Sequence, residues 1–170
     1  MGFTALVYQG PAGPDLVVLP SQPGGLRTEH TPESVAFYLD QAQRAEAVGA
    51  RSAAVAMYRG ALEHLLFEQG YQQGMLGKKL QQLEDTIQAG TAPRWARELD
   101  TDFLAVLKDL GNAAIHPNDG DVAKQATLDR ELLAQLKETF VYLLILVYEA
   151  PRKRDASLAA LKTKAAALKK

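Results

Sequence analysis

The chain has 170 residues, 47% of them hydrophobic and 23% charged, which suits one cored domain with short appendages and excludes a disordered chain. It contains no cysteine, so a disulfide framework and thiolate metal sites are excluded. The net charge of −1 conceals an asymmetry: residues 152–170 carry seven basic side chains against Asp155 alone, giving +6, and the remainder carries −7.

The N-terminus shows no basic segment followed by an apolar run, so no signal peptide is expected. The most apolar stretch, Phe140 to Tyr148, is far shorter than the roughly 20 residues that span a bilayer, so no membrane association is expected and the cytoplasm is the expected location. Phe3–Tyr8 and Leu16–Leu19 are β-prone runs around the turn-forming Gly10-Pro11-Ala12-Gly13-Pro14. They predict a short N-terminal hairpin that must pack on the helices or on a partner. Residues 21–25 read as a linker.

Helical signals follow. Thr31-Pro32-Glu33 predicts a helix start, with Thr31 as cap and Pro32 in the first turn; Val35, Tyr38, Leu39, Ala42 and Ala45 line one face and Gly49 stops it. A second helix over about 50–69 carries Ala54, Met57, Tyr58, Ala61, Leu62, Leu65 and Leu66, with Arg59 and Glu63 one turn apart at the edge of that arc. Leu76, Leu80, Leu83 and Ile87 form a narrow third stripe, closed by Gly90. A short helix over 93–99 places Trp95 as a packing anchor. The next helix opens near residues 100–102 and is expected to bury Phe103, Val106, Leu107, Leu110, Ala113 and Ala114, stopping at Pro117. The last long helix, about 128–149, is apolar on nearly all sides after Thr139, as in a bundle centre or a subunit interface, and Pro151 is expected to end it. In the tail, Leu158, Leu161, Ala165 and Leu168 make a second narrow stripe. The expected organisation is residues 1–30 as hairpin and linker, 31–151 as an all-α bundle, and 152–170 as a basic amphipathic tail.

Most familiar chemistries find no support. His30, His64 and His116 stand at no recognised metal-ligand spacing, and there is no glycine-rich phosphate loop or nucleophile elbow, so no metal and no cofactor is expected. The notable polar feature is Gly111-Asn112-Ala113-Ala114-Ile115-His116-Pro117. At 100° per residue, Lys108, Asn112 and His116 fall on one side, with Asp109 beside them, and are expected to face away from the apolar stripe. Gly111 permits close approach. This face is either plain surface or a contact that a two-fold axis would double into one cleft.

Gly111 to His116 resembles the G-N-x-x-x-H signature of the domain-of-unknown-function family four-one-four-five, placed in the HEPN superfamily of nucleotide- and RNA-associated helical bundles. Arg59-Gly60-Ala61-Leu62-Glu63 resembles that family's R-x-x-L-E helix, Leu76 to Leu80 its L-x-x-K-[IL] stretch, and Tyr148 to Pro151 its closing Y-x-x-P. The resemblance covers residues 32–151. It implies an all-α, HEPN-like bundle of four to five main helices with the N-terminal hairpin and the basic C-terminal helix appended. It further implies a homodimer with an RNA, nucleotide or protein partner, in a bacterial defence or stress setting.

Active HEPN ribonucleases carry R-N-x-x-x-H and cut RNA without metal across a dimer cleft. An imidazole with a pKa of about 6.5 moves the proton and a guanidinium holds the phosphate. Asn112 and His116 match that pattern, and Gly111 stands in the arginine position; Lys108 or Arg59 would have to supply the cation from elsewhere. The expected function is therefore a non-catalytic dimeric interaction module whose binding face includes Lys108, Asp109, Gly111, Arg59 and Glu63. The alternative is a weak metal-independent endoribonuclease using His116 as acid/base and Asn112 to orient it.

Overall fold

The computed structural model describes residues 3–10, 13–20, 25–99, 101–115 and 128–168. It is mostly helical. Strands β1 (Phe3–Gly10) and β2 (Gly13–Pro20) pair antiparallel, with Phe3 opposite Pro20 and Gly10 opposite Gly13. Among the described residues the helices that follow are α1 (Glu33–Ala47), α2 (Arg51–Glu68), α3 (Leu76–Gln88), the single turn α4 (Arg94–Arg97), α5 (Thr101–Ile115), α6 (Arg130–Leu144) and α7 (Ala150–Ala167). A π-turn, Ile145–Glu149, joins the last two.

Helix α2 is the centre of the bundle. Ala54, Val55, Tyr58, Ala61, Leu62, Leu65 and Leu66 are all buried, and α1, α3, α5 and α6 pack around them. Two close approaches depend on glycine. On the α1 side, a Cβ on Gly60 would lie 2.6 Å from the Tyr38 ring, which stacks on His64 at 4.7 Å. On the α5 side, Gly111 meets Arg59. The Tyr58 ring packs against Phe140 of α6 at 5.1 Å, and Lys137 of α6 donates to Glu46 of α1 at 2.8 Å. Gly49 turns the chain between α1 and α2 with φ +79, a region that side chains with a Cβ avoid.

Three expectations need correction. Helix α1 begins one residue later than predicted, with Pro32 in the cap position; the Thr31 hydroxyl accepts from the Thr28 amide at 2.8 Å instead of capping the helix. Helix α5 buries Leu104, Leu107, Gly111 and Ala114, whereas Val106 is 54% exposed and Ala113 is on the surface. Nearly every side of this helix carries an apolar residue, so periodicity alone could not orient it. Finally, Pro151 does not end the last helix. The backbone stays helical from α6 through the π-turn into α7. A proline lacks the N–H and crowds the carbonyl four residues back. The widened turn just before it is where a break in the hydrogen-bond ladder can be absorbed.

A clasp fixes the start of the bundle to this rod. Glu149, 8% exposed, accepts from the His30 backbone N–H and from its Nδ1, each at 2.9 Å. These bonds and the Thr28 hydroxyl hold the Glu149 carboxyl at about 2, well below the usual carboxylate range. A lowered carboxylate pKa stabilises the fold above the unfolded value near 4.5, and that contribution is lost as pH falls through 4.5 towards 2. Glu149→Gln should therefore be less stable than the wild type at neutral pH. Urea unfolding at several pH values should show the gap closing as the pH falls from 5 towards 2.

Candidate functional site

The polar residues singled out in the sequence converge where α2, α3 and α5 meet. The Arg59 side chain, 20% exposed, leaves α2 and lies across Gly111 of α5. A Cβ on Gly111 would stand 2.6 Å from Arg59 Cδ and 2.8 Å from its Cγ, and nearer still to its Cβ. The glycine thus makes room for the arginine stem. Past it, Arg59 Nε donates to Asn112 Oδ1 at 2.9 Å. Arg59 Nη1 lies 3.5 Å from Glu63 one turn along α2, and the other Glu63 oxygen lies 3.3 Å from Lys79 Nζ of α3. Lys79 also donates to the Gly74 carbonyl and is only 5% exposed.

Asn112, Arg59, Glu63 and Lys79 therefore form one connected polar chain across three helices. A buried ammonium is tolerable only when paired, so Glu63 is what permits Lys79 to sit inside. Lys79 was not singled out as a site residue from the sequence. Its one signal was its place in the Leu76 to Leu80 motif, since a lysine in an amphipathic helix ordinarily faces solvent.

The expectation that Lys108, Asp109 and Asn112 share a face turned away from the bundle is also corrected. Asn112 is half-buried and turned towards α2, and Lys108 lines a cleft between α3 and α5. Asp109 is exposed, 3.2 Å from Lys108. The shift follows from the burial of Leu104, Leu107 and Gly111, which rotates α5 relative to the predicted stripe. His116 and the turn after it lie outside the described residues. Trp95 is buried and donates from Nε1 to Gln69 at 2.9 Å, an anchoring role. Burial pushes the Tyr148 phenol up to about 12, so it stays neutral.

The family model for a domain of unknown function, DUF4145, matches residues 40–170. The chain belongs to that family. No curated protein and no solved structure matches significantly. The DUF4145 match starts within α1, later than residue 32, and runs past residue 151 to take in all of α7. Among the described residues of this DUF4145 chain, Glu29, His30 and Glu149 are grouped closely enough to share a cation, their ligand atoms lying within 4.8 Å of one another. Both Glu149 oxygens already accept N–H groups of His30, so the group acts as the clasp described above. Residues 119 positions apart carry no spacing motif, which is why sequence reading passed over it. No helix among the described residues is long and apolar enough to cross a membrane.

Two substitutions test the polar chain. Gly111→Ala should cost about 1–3 kcal/mol by overpacking against Arg59, against at most about 1 kcal/mol gained in helix propensity. In an Arg59→Gly background, which removes the Cβ along with the Cγ and Cδ, the obstruction is gone, and the same change should be neutral or stabilising. A double-mutant cycle by chemical denaturation reads this reversal of sign. Glu63→Ala should lose about 1–3 kcal/mol, because it strands the buried Lys79 charge. Glu63→Ala combined with Lys79→Met should recover part of that loss in the same assay.

Proposed function

We propose that this DUF4145 chain is a non-catalytic, dimeric helical interaction module that binds a protein, nucleotide or RNA partner through a HEPN-like bundle. The observation that carries the reading is the engagement of Arg59. The guanidinium closest to the Gly111–Asn112 segment is spent within the fold, on Asn112 and on Glu63. Asn112 offers its carbonyl oxygen to that arginine, and Gly111 supplies no cation of its own. A residue whose stem is wedged against a glycine and whose head is paired is suited to holding helices in register. It is poorly suited to moving onto a phosphate as charge develops. Resemblance to the HEPN superfamily suggests a defence or stress setting in bacteria, by analogy at the level of fold.

One observation favours the second reading, a weak metal-independent endoribonuclease. Arg59 reaches Asn112 from another helix, so a guanidinium does stand beside the residue that would orient His116. In that reading His116 transfers the proton and Arg59 stabilises the phosphate charge.

The two readings part in one assay. Labelled single-stranded RNA is incubated with the purified chain in EDTA, alongside His116→Ala and Arg59→Ala. A non-catalytic module leaves the same RNA profile for all three proteins. Cleavage with cyclic-phosphate ends that disappears in both variants would overturn it in favour of the nuclease.

A further inference from the structure

Helix α7 has no place in the core of its own chain. Every residue from Arg152 to Leu168 is exposed, and its substantial contacts are confined to the π-turn that leads into it. An 18-residue helix of this kind lacks the tertiary packing from which most helical stability in proteins comes. The family match nonetheless runs through it to residue 170, so α7 belongs to the domain. It exposes Leu158 and Leu161, spaced three apart, with Lys162 and Lys164 on the adjoining turns. Arg152, Lys153 and Arg154 add charge at its start.

The bundle carries an open cleft between α3 and α5. Its floor is Leu80, Leu83 and Leu104, and its rim is Gln81, Glu84 and Lys108. The volume is about 110 Å³, several times the roughly 30 Å³ that a water occupies and enough for one branched aliphatic side chain. Glu84 lies on the rim and Asp85 is exposed beside it, while the Lys108 charge is offset by Asp109 at 3.2 Å. The cleft thus has a narrow apolar floor under a mostly polar lining that is acidic along α3. That matches a helix with a leucine stripe flanked by lysines, the pattern of helix-in-groove recognition. The match extends to the whole chain, with +6 on residues 152–170 against −7 on the rest.

We propose that α7 of one copy docks in the α3/α5 cleft of a second copy, with Leu158 or Leu161 seated on Leu80, Leu83 and Leu104 and Lys162 and Lys164 facing Glu84 and Asp85. The continuous helix from α6 through the π-turn carries α7 off its own bundle, so the cleft it fills belongs to the other copy. Reciprocal exchange closes the pair about a two-fold axis. The inference rests on the dimeric-module reading and names the surface that makes the dimer.

Reversed charges give the test, by size-exclusion chromatography with light scattering on the full chain. Glu84→Lys/Asp85→Lys and Lys162→Glu/Lys164→Glu change surface groups, so circular dichroism should report unchanged helix content. The wild type is expected to be a dimer and each variant alone a monomer. An equimolar mixture of the two variants should regain the dimer, because each cleft then meets a tail of opposite sign. Wild-type dimers that persist in both variants would overturn the α7–cleft contact and leave the dimeric module standing. A monomeric wild type would overturn both. A tail variant that stays dimeric and loses affinity for single-stranded RNA would assign the basic helix to phosphate binding and also overturn the proposal.

Discussion

The bundle depends on the close approach of α2 and α5 at Gly111, where an arginine side chain occupies the space that a Cβ would take. Any larger residue at that position would separate the helices or displace Arg59. From this one steric contact the rest of the polar chain follows. The Arg59 head is delivered to Asn112, its remaining charge is answered by Glu63, and Glu63 in turn allows Lys79 of α3 to be buried against α2. Three helices are thereby held in register by charge-assisted bonds, which carry a directionality that apolar packing lacks. The leucines of α2 supply the bulk of the burial, and the polar chain decides how its neighbours sit on it.

The link between the start of the bundle and its last helix is organised differently. There the His30–Glu149 clasp ties the segment before α1 to a π-turn near the end of the chain. The π-turn lets a proline follow without breaking the rod, and so it is what puts a long basic helix outside the core. The protein thus combines an interlocked bundle with an arm whose residues from Arg152 to Leu168 are all exposed. That division of labour suits an interaction module. The Arg59 and Asn112 side chains are spent on architecture, and the charges and leucines of α7 are exposed.

Much of this was legible in the sequence because it rests on local chemistry. Helix boundaries at Gly49, Gly70 and Gly90, the buried faces of α1, α2 and α3, and the anchoring Trp95 all follow from periodicity and from backbone preferences that each residue carries wherever it stands. The four short motifs also sufficed to place the chain in its family. The orientation of α5 was not legible, since a helix apolar on most sides has no preferred face until its neighbours choose one. Nor was the burial of Lys79, the clasp between His30 and Glu149, or the passage of the helix through Pro151. Each of these is decided by a partner far away in the chain or by a hydrogen-bond ladder that only the packed backbone defines. The amino-acid sequence by itself determined which segments are helical and how much apolar surface they must hide. Only the tertiary structure decided that Gly111 exists for Arg59, because the need for a missing Cβ arises when two helices, 52 positions apart at this contact, are brought together.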